Sequence, residues 1–188
     1  EQINDAMIED MSVILETYTS QYFEVVNSAL REVMPNHLYM GVRMAAWSIN
    51  PEGVRAAKKY VDVMSYNYYR EGMHDSTWEI DMPSIIGEYH FGAMDTGLYH
   101  PGLIHSSDQK DRARGYQAYM RKVIDNPYMV GAHWFQYTDS PVTGRAYDGE
   151  NYNVGFVTNA DVPYKEMVEA AREINQELYP RKFKDAVK

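Results

Sequence analysis

Ile85-Ile86-Gly87-Glu88-Tyr89-His90-Phe91-Gly92 is an apolar run, short enough to be one buried strand, that ends in a carboxylate set among aromatics, a histidine and glycines. A buried strand does not ordinarily finish in a charge, because an ionised carboxylate taken out of water without a partner is costly. In α/β proteins the carboxyl ends of parallel strands are where catalytic groups sit, so Glu88 reads as a catalytic candidate. The plainer reading is a salt-bridged glutamate closing a strand, and the aromatic setting weighs against it. By the period of two, Glu88 shares a face with Ile86 and His90, which puts His90 beside it.

On either side of this run the chain alternates. His37 to Met44 and Val61 to Tyr68 read as strands upstream, and Tyr128 to Gln136 as a strand downstream. Met7, Met11, Ile14, Leu15, Tyr18, Tyr22, Val25, Val26, Ala29, Leu30 and Val33 recur at helical steps in the first segment and predict a helix with an apolar face. Asn50-Pro51-Glu52 is a helix start, with a capping side chain, a proline at the first position and an acid in the first turn. A further helix carries Ala113, Tyr116, Met120, Val123 and Ile124 on one face and is stopped by Asn126-Pro127. The last carries Tyr164, Met167, Val168, Ala171, Ile174 and Leu178. The tail from Pro180, with Lys182, Lys184 and Lys188, reads as solvated and frayed, which divides the chain into a domain over 1–180 and a tail over 181–188. The 70–83 connection is expected to hold a short or irregular helix.

Alternating β and α elements imply a parallel sheet with helices on its faces. Two architectures fit: a small doubly wound sheet, or half of a (β/α)8 barrel, which needs ~250 residues in full. The long polar loops follow the strands, and the chain opens on a helix with no strand before it; both favour the barrel. The expected fold is therefore α/β, the C-terminal half (strands five to eight) of a (β/α)8 TIM barrel. Glu1-Gln2-Ile3 has neither an initiator Met nor a signal peptide and reads as an internal start.

A formal net charge of −9 with no Lys/Arg cluster argues against nucleic acid or an anionic membrane as partner and for a neutral substrate. No run is long enough to span a membrane. With no Cys there is no disulfide, thiol nucleophile or thiolate-held metal. The 17 tyrosines offer flat apolar rings with polar tips, which suits packing under helices and also binding sugars at a wet surface.

Glycoside hydrolysis needs two carboxylates, about 5–5.5 Å apart for a retaining mechanism and farther apart for an inverting one, and Glu88 is a candidate for one. The other strand ends supply Arg43 and Trp47, Tyr66 and Asn67, and His133, Trp134 and Gln136 as substrate contacts, with His90 beside Glu88. Tyr66 is assigned as a hydrogen-bond donor that keeps Glu88 ionised. Trp134 reads equally as the floor under a sugar ring and as an indole capping the core. Asp148 and Glu150, in Asp148-Gly149-Glu150-Asn151, miss the calcium-loop spacing and read as contacts to sugar hydroxyls or as a polar turn. His90, His133 and Glu88 lack any metal-ligand spacing, so neither metal nor other cofactor is expected.

Three blocks carry a resemblance. Gly87 to Ala93 followed by Asp95 and Gly97, then His133-Trp134-Phe135-Gln136-Tyr137, then Thr143 to Ala146 with Asp148 to Tyr152, closely resemble glycoside hydrolase family 50, the β-agarases. The similarity runs from about Tyr22 to Pro180. It implies a retaining (β/α)8 glycosidase that cleaves β-1,4 galactosidic bonds of agarose or related galactans, with the nucleophile on strand seven, which is Glu88 here. It also implies an acid/base in an Asn-Glu pair after strand four. That pair is missing: Asn4-Asp5 is the wrong pair and Asn175-Gln176-Glu177 lies in the last helix, so an N-terminal half barrel is expected to supply it. Glu71, Asp139 and Glu150 are the nearby carboxylates that would otherwise substitute. Agar is too large to cross a membrane, so the parent protein is expected to be secreted or periplasmic. A β-galactosidase-like glycosidase of the same clan, or a sugar-binding half barrel without chemistry, are the alternatives.

Overall fold

The computed structural model describes residues 4–45, 49–73 and 80–184. Along the chain run α1 (Asp5–Val33), β1 (Arg43–Ala45), α2 (Pro51–Lys58), β2 (Met64–Asn67), β3 (Ser84–Tyr89), α3 (Gln109–Asp125), β4 (Met129–Trp134) and α4 (Lys165–Lys182). The strands form one sheet in the order β1-β2-β3-β4, and β1 pairs with β2 in parallel, Met44 opposite Tyr66. The described parts of the 70–83 connection, 70–73 and 80–83, are irregular, and the rest of that connection lies outside the described residues.

Two units divide these elements. The first comprises the chain up to Asn67 with Asp81–Ile85. Its capping side chains act as the sequence predicts, with Asn4 accepting from Met7 N–H and Asn50 from Gly53 N–H. The expected apolar face of α1 is not buried: Met11, Ile14, Tyr18 and Val25 are exposed, and Phe23 is the buried residue of the helix. α1 meets α2 through polar groups instead, Ser12 donating to Glu52 at 2.5 Å and Glu16 accepting from Arg55 and Lys59.

β1 is shorter than the expected strand over 37–44, and β2 shorter than the one over 61–68. Gly41 sits at φ +63°, where a Cβ would lie 2.8 Å from Val61, so the extended run is broken there. Asp62 is used as a clasp, its carboxylate accepting from Tyr39 N–H at 2.7 Å and from Arg31 at 2.5 Å. Those two bonds, the backbone one first, hold its carboxyl below the usual range.

The second unit comprises Tyr68–Ile80 and Ile86–Lys188. Its core is aromatic. Tyr89 stacks on Tyr119 with ring centres 4.3 Å apart, and Trp134 meets Tyr89 edge-on at 5.1 Å. α3 buries Tyr116, Tyr119, Met120, Val123 and Ile124, while α4 buries Met167, Ala170 and Ile174. Ion pairs lace the two helices, Arg121 to Glu177 at 2.7 Å and Arg181 to Asp125 at 2.6 Å. The expected fraying from Pro180 is corrected. That proline sits inside α4 in its last turn, and Lys182 donates to the carbonyls of Asn126 and Met129 beyond α3. Residues 185–188 lie outside the described chain.

Candidate active site

Ser84 to Gly87 are buried, and the half-buried Glu88 follows at the carboxyl end of β3. Its Oε2 accepts a hydrogen bond of 2.7 Å from the Tyr69 hydroxyl. Tyr69 lies just past β2, where Tyr68 N–H donates to the Glu88 carbonyl and the Tyr68 carbonyl accepts from the buried Tyr119 hydroxyl. Main-chain bonds thus deliver the Tyr69 phenol to the carboxylate. The sequence reading gave that role to Tyr66 and missed Tyr69. The available signal was Tyr68-Tyr69, aromatic hydroxyls directly after a strand that neighbours the one ending in Glu88. Tyr66 is wholly buried in β2, and burial pushes its phenol up to about 12 despite the Ser84 hydroxyl beside it.

His90 packs against the Tyr69 ring with centres 4.6 Å apart and is only 1% exposed. Its Nε2 accepts from Leu103 N–H at 2.7 Å, which leaves Nδ1–H to donate to the Phe135 carbonyl at 3.1 Å. Burial pushes its pKa down to about 3, so the ring is neutral. The expected substrate contact through His90 is therefore corrected: both nitrogens are committed to backbone, and the histidine ties the loop after β3 to the end of β4. Gly102 makes the approach possible, because at φ +82° a Cβ there would lie 2.6 Å from Nε2.

The expected contacts from β4 differ in placement. His133 is exposed and Trp134 half-buried. The Trp134 indole N–H donates to the Val154 carbonyl at 2.7 Å, and its ring meets Tyr89, Phe91, Tyr116 and Phe156. Of its two readings, core capping is the one these contacts serve. Gln136 reaches Ser140 Oγ at 3.4 Å. Arg43 is exposed on β1 and Asn67 half-buried at the end of β2, both in the first unit. Trp47 lies outside the described residues.

The three spare carboxylates separate cleanly. Asp139 is buried, with Oδ1 accepting from Asn153 and Gly155 N–H and Oδ2 from Tyr164 at 2.6 Å, so both oxygens are engaged inside the fold. Glu71 is exposed. Glu150 pairs with Arg145, as does Asp148 at 2.6 Å. Burial raises the Glu150 carboxyl, the negative charges of Asp148 and Glu88 add to that, and Arg145 opposes it. Among the described residues no three His, Asp or Glu side chains are grouped to hold a metal ion, and no helix is long and apolar enough to cross a membrane.

A single half-buried carboxylate, oriented by a phenol at a strand end, is suited to attack on carbon or to taking a proton. No protein-family model matches the chain. Over 97% of its length it is 50% identical to beta-agarase B of Vibrio sp. (strain JT0107), of which it covers 20%. The crystal structure of the agarase AgWH50C superposes with a TM-score of 0.94 at 55% identity, over 97% of this chain and 29% of that one. PfGH50B superposes with a TM-score of 0.92 at 54% identity, over 96% of this chain and 26% of that one. The fold is thus the α/β arrangement with a parallel sheet found in these proteins, and the chain spans about a fifth of the curated relative.

Proposed function

We propose that this chain, which belongs to glycoside hydrolase family 50, carries the nucleophile of a retaining β-agarase. The observation that carries the reading is Glu88 at the carboxyl end of β3 with its Oε2 held by Tyr69 at 2.7 Å. Glu88 attacks the anomeric carbon of a β-galactosyl unit while an acid protonates the departing glycosidic oxygen. The glycosyl ester is then hydrolysed by water, which gives up its proton to the same acid/base group, and the β configuration returns. The Tyr69 O–H holds Oε2 and so orients the carboxylate toward the sugar.

The chain is read as strands five to eight of a (β/α)8 barrel. Supporting this, its strands neighbour one another in chain order, as barrel strands do, whereas doubly wound sheets reverse order at a switch point. The acid/base is assigned to the N-terminal half of that barrel, since both oxygens of Asp139 are engaged inside the fold and Glu150 is tied to Arg145. A positioned acid contributes about 10²–10⁴-fold in rate, so the chain alone is expected to be inactive. A gel-forming polysaccharide substrate calls for action outside the cell or in the periplasm.

Glu88→Gln in the full-length enzyme tests the assignment. The amide is isosteric but cannot form the ester, so turnover of agarose is expected to fall to the detection limit while the melting temperature is kept. A variant that turns over at the wild-type rate removes Glu88 from the role.

A further inference from the structure

Arg145 is riveted from every side. Its guanidinium lies 5.3 Å from the centre of the Phe135 ring and 4.8 Å from that of Tyr147. Its Nε and Nη2 fork onto Asp148 at 3.1 and 2.6 Å, and Nη2 also pairs with Glu150. The backbone around it is equally fixed, Arg145 N–H donating to the Glu150 carbonyl and Gly149 N–H to the Arg145 carbonyl. Gly144, at φ +87°, lets the two arms of this loop close, since a Cβ there would stand 2.7 Å from the Gly149 carbonyl. The rigid loop nevertheless displays Tyr147 at 79% exposure.

That display is placed near the candidate nucleophile. Phe135 beneath Arg145 donates its N–H to the carbonyl of Tyr89, the residue after Glu88, and Glu150 lies close enough to Glu88 for their charges to interact. Arg145 occupies one face of the Tyr147 ring and the exposure leaves the other open. A rigid aromatic face beside two carboxylates suits a neutral polyhydroxylated ring, whose C–H face stacks while its hydroxyls donate, and it repels anions. We infer that Tyr147 is the stacking platform of a sugar subsite flanking Glu88, and that Arg145 serves to hold it there.

The inference rests on the agarase reading and adds a residue and a subsite to it. The test is steady-state kinetics of the full-length enzyme on neoagarohexaose. Tyr147→Ala is expected to raise KM about tenfold with kcat little changed, which is about 1.4 kcal/mol of stacking. Tyr147→Phe, which keeps the ring, is expected to restore KM to within about twofold of wild type. An unaltered KM in Tyr147→Ala, or a Phe variant as impaired as the Ala variant, overturns the subsite and leaves the agarase reading standing. A wild-type enzyme that does not cleave neoagarohexaose overturns both.

Discussion

His90 spends both ring nitrogens on backbone, one toward Leu103 and one toward Phe135. The arrangement requires the neutral ring, and its pKa near 3 lies below the ordinary 6.5 because burial penalises the charged form. Between those values the unfolded chain binds a proton that the folded chain refuses. The contribution to stability is therefore full above about pH 6.5 and is lost as pH falls through that window, by up to about 1.4 kcal/mol per pH unit. Urea unfolding at pH 7, 6 and 5 is expected to show this slope in the wild type and a flatter one in His90→Gln, whose amide does not titrate. Parallel dependences would show that His90 protonates in the fold. Trp134 yields a second prediction at this scale. Its indole is pinned by Val154 and four aromatic rings, so Trp134→Ala is expected to cost about 3–5 kcal/mol in equilibrium unfolding. Unchanged stability with weakened saccharide binding would return the residue to the sugar floor.

The loops after β3 and β4 are held by a buried polar network rather than by regular structure. Arg112, with 0% exposure, reaches from α3 to the carbonyls of Phe91 and Gly155 and lies over the Tyr164 ring at 5.2 Å. Burial pulls its pKa down to about 10, and the Asp139 charge is the largest influence opposing that. Gln109 and Asn153 complete the connection between Asp95 and Asp139. Asp139→Asn changes almost no volume, yet removes the negative charge that most supports buried Arg112 and sets an amide NH2 among the Asn153, Gly155 and Tyr164 donors. It is expected to cost about 3–5 kcal/mol, measured by thermal unfolding at pH 7. The same change at exposed Asp148 is expected to leave the melting temperature nearly unchanged, because surface pairs are screened; equal effects would mean that the network carries no special stability. Local signals made several elements readable from sequence: the Asn50-Pro51 start of α2, the apolar run of β3 and the periodic face of α3 all appear where expected. What sequence hid was long-range. The Asp62 clasp and the left-handed Gly41 shortened two strands, and nothing near His90 in the chain reveals Leu103 or Phe135 as its partners. The carboxylate at the strand end was legible because it breaks an apolar pattern; its donor Tyr69 was not, because which tyrosine faces it depends on how β2 ends.

In the sheet order β1-β2-β3-β4, β1 and β4 are the outer strands, and Val130 on β4 is 62% exposed. On α1, Met11, Ile14 and Tyr18 are exposed as well, Tyr18 to 78%. An outer strand such as β4 can template pairing with another chain along its edge. The net charge of −9 opposes such pairing, but charge acts over only about 8 Å at physiological salt, whereas paired strands approach to about 4.8 Å and gain their bonds inside that range. The 188-residue chain produced by itself is therefore expected to self-associate, seen as a sedimentation coefficient that rises with loading and falls when the salt is removed. Val130→Lys, which sets a charge on the β4 edge, is expected to reduce association at every loading and to leave the buried aromatic core of the second unit unchanged. Incubated with agarose, the same chain is expected to release no reducing ends, because the proposed reading assigns the acid to the N-terminal half of the barrel. A monodisperse chain that cleaves agarose would defeat the half-barrel reading on both counts. It would mean that the outer strands are protected within these residues, and among the three described candidates it would turn the search for the acid to Glu71 or Glu150, since both oxygens of Asp139 are already bonded.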